Sequence, residues 1–129
     1  MTAGPDQPAG FVPGRYPIDA YGKGGFRFAG MSHRGSILAL PSGVRAWPVT
    51  AARELRPEDF DPVFAEAGEI EFLMVGTGLD LFPLPERIRA RFRDAGIALD
   101  QMQTGPAART YNILVAENRR AAAALIAVP

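Results

Sequence analysis

The carboxyl-terminal half of the chain alternates between short apolar segments and amphipathic segments, and this alternation restricts the fold more than any other feature. Three apolar segments, residues 70–75, 97–102 and 121–128, have the length and composition of buried strands. Between them lie two helical segments, LPERIRARFRDAG and TGPAARTYNILVAENR. Consecutive β-α-β units usually place their strands parallel in one sheet. The sequence therefore predicts an α/β fold with a mixed sheet and a β-α-β-α-β carboxyl-terminal half.

Local signals define the two helices and the last strand. The predicted buried face of the first helix consists of Leu84, Ile88, Phe92 and Ala95. Gly96 is expected to end this helix, and Thr104 is expected to be the N-cap of the second. The alanines of AAAALIAV suit a helix as well as a strand, but Asn118 before them and the terminal position favour a strand.

The amino-terminal half predicts a unit of antiparallel strands. GFRFAG places Phe26 and Phe28 on one strand face and Arg27 on the other. SILAL is a second apolar strand, so the seven residues between them, AGMSHRG, predict a hairpin loop. VRAW follows as a third strand. The aromatic residues expected in the core are Phe26, Phe28, Trp47, Phe72, Phe82 and Phe92.

Composition points to one globular domain with an arm. The chain has 129 residues, of which 47% are hydrophobic, and this length suits a single domain. Residues 1–17 contain four prolines and three glycines, so we expect a flexible arm there and a single α/β domain over 18–129.

Charge and cysteine content exclude several functions. The chain has no cysteine, which rules out disulfides, thiolate metal sites and cysteine nucleophiles. Fourteen basic residues balance fourteen acidic ones, so nucleic-acid binding is not expected. Neither a metal nor a cofactor is expected. The longest apolar run has eight residues, too short to span a bilayer, and we expect a cytoplasmic protein without membrane insertion.

The stretch VGTG, residues 75–78, is the clearest candidate for a ligand site. It lacks the third glycine of a dinucleotide fingerprint and the Gly-Lys-Ser/Thr of a P-loop. However, it follows a predicted parallel strand, and QTGPAARTYN follows the next, where α/β domains often bind ligands. A helix N-terminus there would favour an anion. The polar side chains that could converge on such a pocket are Thr77, Thr104, Thr110, Arg109 and Asn112.

A structural interpretation of the same residues stays open. Glycines at such a position can serve positive φ angles or close packing. In this interpretation, Thr104 caps a helix and has no ligand, and Arg109 forms an internal bond to Glu117 or to a carbonyl group.

No catalytic residue is predicted. His33 is the only histidine and lies in the predicted hairpin loop, with no sequence arrangement that indicates a triad. The segment YGKGGF, residues 21–26, has three glycines, which suggest a sharp bend or a close contact with another surface.

Several blocks together resemble one family of domains of unknown function. These blocks are IDAYGKGGFRFAG, GSILALPSGVRAWPV, FLMVGTG, PLPERIRARFRDAGI and MQTGPAARTYNILVAENRRAAAALIAV. The eukaryotic relatives of that family include a mitochondrial respiratory complex I assembly factor and an adipogenesis-associated protein. The resemblance implies a compact α/β fold with a mixed sheet. The positions that match the motifs of the family, and that we predict to form the pocket, are Gly76, Thr77, Gly78, Thr104, Arg109, Thr110, Tyr111 and Asn112. The chain departs from the family at Ala108, where a cysteine is frequent, and at Asn118, where a glycine is usual.

Two functions follow as hypotheses. The first is a non-enzymatic domain that binds other proteins and aids the assembly of a membrane-bound, respiratory-type complex, as the resemblance implies. The alternative is a domain that binds a small anion or metabolite, including an enzyme of unrecognised type, in the pocket at the strand ends. A homo-oligomer through a free strand edge is compatible with either hypothesis.

Overall fold

The computed structural model describes residues 11–129. The strands are β1 Phe11–Pro13, β2 Ala20–Gly22, β3 Gly25–Phe28, β4 Met31–Arg34, β5 Ser36–Ala39, β6 Gly43–Trp47, β7 Phe72–Gly76, β8 Ala98–Met102 and β9 Ala121–Leu125. The main sheet has six strands in the order β1-β6-β5-β9-β7-β8, and a second sheet has three strands in the order β2-β3-β4. The α-helices are α1 Asp61–Phe64, α2 Glu86–Asp94 and α3 Thr104–Ala116, and single 3₁₀ turns cover Ala52–Glu54, Pro57–Phe60 and Ala67–Glu69.

The predicted β-α-β-α-β half is confirmed. β7 lies between β8 and β9 and pairs in parallel with both. β5 pairs antiparallel with β9 and continues the sheet through β6 and β1. The sheet is therefore mixed, as the sequence predicts, because the amino-terminal hairpin joins the parallel strands at β9.

Both faces of the main sheet are buried, and β7 shows why its sequence is almost continuously apolar. Leu73 and Val75 pack into a core with α1 and α2, whereas Met74 packs into a second core with α3 and the small sheet. The alanines of β9 are completely buried between these layers. Their small side chains leave room for α3 to lie close to the sheet.

The helix α2 has the predicted buried stripe except at its end. Leu84 before the helix, Ile88 and Phe92 are buried, and Gly96 has a φ of 76° just after it. The prediction for Ala95 is wrong: this residue is exposed, because the helix ends at Asp94 and the chain has left the apolar stripe. None of the helices within residues 11–129 combines the length and the apolar character that crossing a bilayer requires.

The predicted hairpin loop AGMSHRG is wrong. Met31–Arg34 form β4, which pairs with β3 across a turn at Ala29 and Gly30, whose φ angles are 52° and 73°. Positive φ at both positions is typical of the two-residue turns that match the twist of a hairpin. The polar residues of β4 resemble a loop in sequence because β4 is an edge strand and is largely exposed.

The predicted flexible arm is described only from Phe11 onwards, and the first ten residues lie outside the described part of the chain. From Phe11 to Pro13 the chain pairs with β6, and the Arg15 guanidinium donates a hydrogen bond to the Ala121 carbonyl (2.7 Å). The described residues of the arm therefore lie against the domain. The boundary at residue 18 stays a prediction.

Candidate functional site

The crossing of α3 over β7 brings together the two segments predicted to form a pocket. α3 leaves the end of β8, returns over β7 and leads into β9. Gly76, at the end of β7, allows this close approach, because a Cβ atom on it would lie 2.8 Å from the Cα of Thr104. The glycine therefore serves the packing of α3 on the sheet.

The hydroxyl group of Thr104 joins three segments of the fold. It is completely buried, accepts a hydrogen bond from the Gly78 amide (3.0 Å) and donates one to the Ile126 carbonyl (2.7 Å). The Thr104 amide also donates to the Gly78 carbonyl (3.0 Å). The predicted N-cap role of Thr104 is wrong: Gln103 occupies the N-cap position, and Thr104 is the first helical residue.

The hydroxyl group of Thr77 holds the loop that follows β7. Thr77 Oγ1 lies 2.7 Å from the Asp80 carbonyl oxygen and 3.2 Å from that of Met102, and it accepts a hydrogen bond from the Phe82 amide (3.1 Å). The Gln103 side chain donates another to the Leu79 carbonyl (2.8 Å). These bonds fix the backbone of residues 79–82, hereafter the apolar loop.

The amino terminus of α3 offers few free donors for an anion. The Thr104 amide is bonded to Gly78, Pro106 has no amide hydrogen, and the Ala107 amide donates to the Gln103 carbonyl (3.0 Å). The Tyr21 ring covers Gly105, where a Cβ atom would collide with the Tyr21 hydroxyl. The protein itself therefore uses most of the groups that the sequence offered for a ligand.

The second turn of α3 holds the segment that precedes the small sheet. The Asn112 amide group donates to the Ile18 carbonyl (2.8 Å), and its oxygen accepts from the Ile18 amide (2.8 Å). The Tyr111 hydroxyl, in the second core, donates to the Tyr16 carbonyl (3.3 Å). Tyr111 and Asn112 thus have structural contacts that account for their position.

The two remaining predicted residues have weaker contacts. Thr110 Oγ1 lies 3.8 Å from the sulfur of Met102, a distance at which a hydrogen bond contributes little. Arg109 is exposed and makes no ion pair or hydrogen bond with the rest of residues 11–129, so the expected bond to Glu117 or to a carbonyl does not form there.

A groove of about 380 Å³ lies at the carboxyl end of β7, lined by residues 50–53, 77–82 and 126–129. Of the eight predicted site residues, Thr77 and Gly78 line it. The side chains of the apolar loop that stand out beside it are Leu79, Leu81 and Phe82, which are 63%, 57% and 38% exposed. The core prediction for Phe82 is therefore wrong.

Sequence reasoning missed the apolar loop because three apolar residues among four resemble a buried segment. The available signal was their position: they follow Gly78 and precede Pro83 and Pro85, in a stretch too short for a helix and outside any strand. Large apolar side chains in such a connection are unusual, and they indicate a contact surface when they are exposed.

His33 lies in β4, with its ring centroid 6.3 Å from that of Phe28. Its Nε2 atom is buried and has no hydrogen-bond partner among the described residues. Within residues 11–129, no group of three or more histidine, aspartate or glutamate side chains is arranged to hold a metal ion.

The burial of Tyr111 predicts a loss of stability in alkaline solution. Burial raises the pKa of the Tyr111 hydroxyl above its usual value of 10.0, and the nearby Arg15 guanidinium offsets part of this effect. Because the folded-state pKa is the higher one, the stabilisation is present below pH 10 and is lost as the pH rises through the raised pKa. Urea unfolding across this range should show a steeper decline for the natural chain than for Tyr111→Phe. A Tyr21→Phe control should keep the steep decline, and equal slopes in all three proteins would contradict the assignment.

Comparisons with known proteins identify the family. Residues 18–126 match the family described as protein of unknown function (DUF498/DUF598). The chain belongs to this family. Over 116 residues, it is 37% identical to an uncharacterised protein from Rhodobacter capsulatus, covering 90% of this chain and 88% of that one. The family resemblance inferred from the sequence blocks is thereby confirmed.

Two further relatives are a curated assembly factor and a protein of known structure. NADH dehydrogenase (ubiquinone) 1 alpha subcomplex assembly factor 3 from Mus musculus is 33% identical over 87% of this chain, which spans 60% of that factor's length. A crystal structure of an outer membrane protein from Bartonella henselae is 50% identical, with a TM-score of 0.87, over 91% of this chain and 98% of that one. The fold of DUF498/DUF598 domains described above is therefore shared with a solved relative.

Proposed function

We propose that this domain is a non-enzymatic cytoplasmic protein that binds other proteins and assists the assembly of a membrane-bound, respiratory-type complex. The apolar loop is the observation that carries the proposal, because it exposes Leu79, Leu81 and Phe82 together beside a groove. The similarity to assembly factor 3 supports the choice of an assembly role over other kinds of protein binding.

The backbone of the apolar loop is fixed by hydrogen bonds before any partner binds. Thr77 and Gln103 hold its backbone through hydrogen bonds of 2.7 to 3.1 Å to Asp80, Phe82 and Leu79. A backbone fixed before binding loses less conformational entropy when a partner is bound. The exposed leucine and phenylalanine side chains are thus presented at low entropic cost.

The expected partner segment is apolar at its centre and polar at its edge. The groove beside the apolar loop is lined by the apolar residues 126–129 and by Arg53 and Asp80. Interfaces commonly surround a desolvated apolar centre with polar residues that exclude water. A nascent or unassembled subunit, whose own apolar contact surface is still uncovered, has this chemistry.

Replacing Leu79 and Leu81 together by serine should remove partner binding without unfolding the domain. The tagged protein is recovered from gently solubilised native cells, and bound proteins are measured by mass spectrometry. The natural chain should recover subunits of one membrane-bound complex. The double variant should recover these subunits in an amount at least about tenfold lower, because central apolar anchors each contribute more than about 1 kcal/mol to binding. Both side chains are largely exposed, so the melting temperature should change little.

Ile113→Ser is the matched control, because Ile113 is 53% exposed on α3 and does not line the groove. This control should recover the same subunits as the natural chain. Equal recovery by the double variant would contradict the role of the apolar loop. Recovery of no subunit of such a complex by the natural chain would contradict the assembly role.

A further inference from the structure

A second concavity, of about 600 Å³, lies on the small sheet and has no part in the proposed protein contact. It is lined by residues 20–23, 25–27 and 32–34. Three of these ten residues, Lys23, Arg27 and Arg34, are basic, and none is acidic. In a chain whose total charge is zero, such a one-sided lining requires a physical explanation.

The strand register places the basic side chains around an open floor. Gly25 is opposite both Gly22 and Arg34, while Arg27 is opposite Ser32. Gly25 stands two residues before the exposed Arg27, is itself buried against the backbone of β4, and adds no side chain to the sheet. The two glycines leave this part of the sheet without side chains. Arg27 and Arg34 are diagonal neighbours across it, a separation that long side chains can bridge.

One of the three cations is held by a hydrogen bond, and the other two lie on or over the β2–β3 turn. Arg27 Nη1 donates a hydrogen bond to Ser32 Oγ (3.2 Å). The Arg34 guanidinium lies over the β2–β3 turn, since its Nη1 would be 3.9 Å from a Cβ atom on Gly24. That turn carries Lys23, and it is fixed from two sides: the Gly24 amide donates to the Val128 carbonyl (2.8 Å), and the Gly24 carbonyl accepts from the Gly35 amide (2.7 Å).

The charges of this concavity are not neutralised by the part of the chain that the structure describes. Within residues 11–129, neither Lys23, Arg27 nor Arg34 takes part in an ion pair, whereas arginines on α2 and near α1 do. Like charges held close together repel one another, and an anion bound between them would reverse the sign of that energy.

We propose that this concavity binds a phosphate group, carried by a soluble phosphate ester or by a lipid headgroup. Arginine guanidinium groups donate paired hydrogen bonds to phosphate oxygens, and lysine adds a compact point charge. A phosphate with more than one negative charge matches three cations better than a single carboxylate does. The segment YGKGGF thus has a function for its glycines: they form the tight turn and the open floor.

Titration calorimetry with inorganic pyrophosphate and inorganic phosphate tests the soluble source. Co-sedimentation with phosphatidylcholine vesicles, with and without phosphatidic acid, tests the lipid source. Arg34→Gln should weaken whichever binding is found by about tenfold to a hundredfold, the usual contribution of a charged hydrogen-bonded contact. Added salt should weaken it further. The matched control is Arg87→Gln, an exposed arginine of α2 outside this concavity and without an ion pair among the described residues, which should bind like the natural chain.

Each outcome decides the proposal. A soluble ligand is supported if the protein binds pyrophosphate or phosphate, and if Arg34→Gln weakens this binding while Arg87→Gln does not. A lipid is supported if the protein binds only the vesicles that contain phosphatidic acid, and if the two variants differ in the same way. Absence of binding to all probes, or equal losses in both variants, overturns it. Lys23→Gln repeats the test if Arg34→Gln fails to fold, and pull-down of partners through the apolar loop should be unchanged in either variant.

Discussion

Replacing Thr104 by valine is expected to lower the free energy of unfolding by about 2 to 5 kcal/mol, although the two side chains have nearly the same shape. Valine would leave the Gly78 amide without its acceptor and the Ile126 carbonyl without this donor, in a place that water does not reach. Each buried polar group that loses its partner costs about 1 to 3 kcal/mol. For a domain of this size, the melting temperature should fall by roughly 10 °C or more.

Urea unfolding followed by circular dichroism measures this effect, with Thr110→Val as the matched control. Thr110 lies on the same helix, but its hydroxyl has only the 3.8 Å contact with the Met102 sulfur, so its replacement should cost less than about 1 kcal/mol. Thr104→Ser, which keeps the hydroxyl, should recover much of the lost stability. Similar losses for Thr104→Val and Thr110→Val would show that the buried hydroxyl is not the cause.

The architecture of the carboxyl-terminal half could be predicted because its signals are local. The apolar stripe of Ile88 and Phe92 and the glycine after it are properties of neighbouring residues, and they are sufficient to identify α2. The parallel direction of β7, β8 and β9 follows from the general behaviour of β-α-β units. The edge strand β4 escaped prediction because its exposed polar residues carry no apolar period.

The positions of two candidate residues could be predicted from the sequence, but the hydrogen-bond partners of their side chains could not. The sequence indicates that Thr77 and Thr104 lie near the ends of neighbouring strands, and they do. What it cannot indicate is which partner each hydroxyl finds, because Asp80, Met102 and Ile126 are set by the crossing of α3 over β7. The hydroxyl groups that suggested a ligand are bonded within the protein.

The apolar loop and the three buried contacts of Thr104 are parts of one arrangement. The same Gly78 whose amide binds Thr104 lies directly before Leu79, and Gln103, directly before Thr104, holds the Leu79 carbonyl. Loss of the Thr104 contacts should therefore displace the start of the apolar loop as well as destabilise the domain. Residues predicted to bind a ligand therefore support the proposed protein contact indirectly, because they hold the backbone from which the apolar loop begins.

Replacing Gly25 by alanine is expected to destabilise the small sheet by about 3 kcal/mol or more, the upper range for overpacking. An added Cβ atom would collide with the His33 carbonyl oxygen and would lie 3.1 Å from the His33 carbonyl carbon and 3.2 Å from the Arg34 Cα. All three atoms belong to the backbone of the paired strand, so no side-chain rotation can relieve the contact. Strands β3 and β4 would have to separate at the floor of the concavity that Lys23, Arg27 and Arg34 line.

Hydrogen exchange measures where this damage falls, and Gly68→Ala is the matched control. A Cβ atom on Gly68 would have no other atom within 4 Å, and this residue has no positive φ. Its replacement should leave the stability within about 1 kcal/mol or raise it slightly, since alanine restricts the unfolded chain.

Gly25→Ala should lose amide protection first in β2 to β4, while β7 to β9 stay protected until global unfolding. Because Gly25 also forms the phosphate-binding floor, its alanine variant should lose phosphate binding together with this protection. Full protection of β3 in the variant would mean that the strands accommodate the methyl group and that the floor is wider than its backbone contacts indicate.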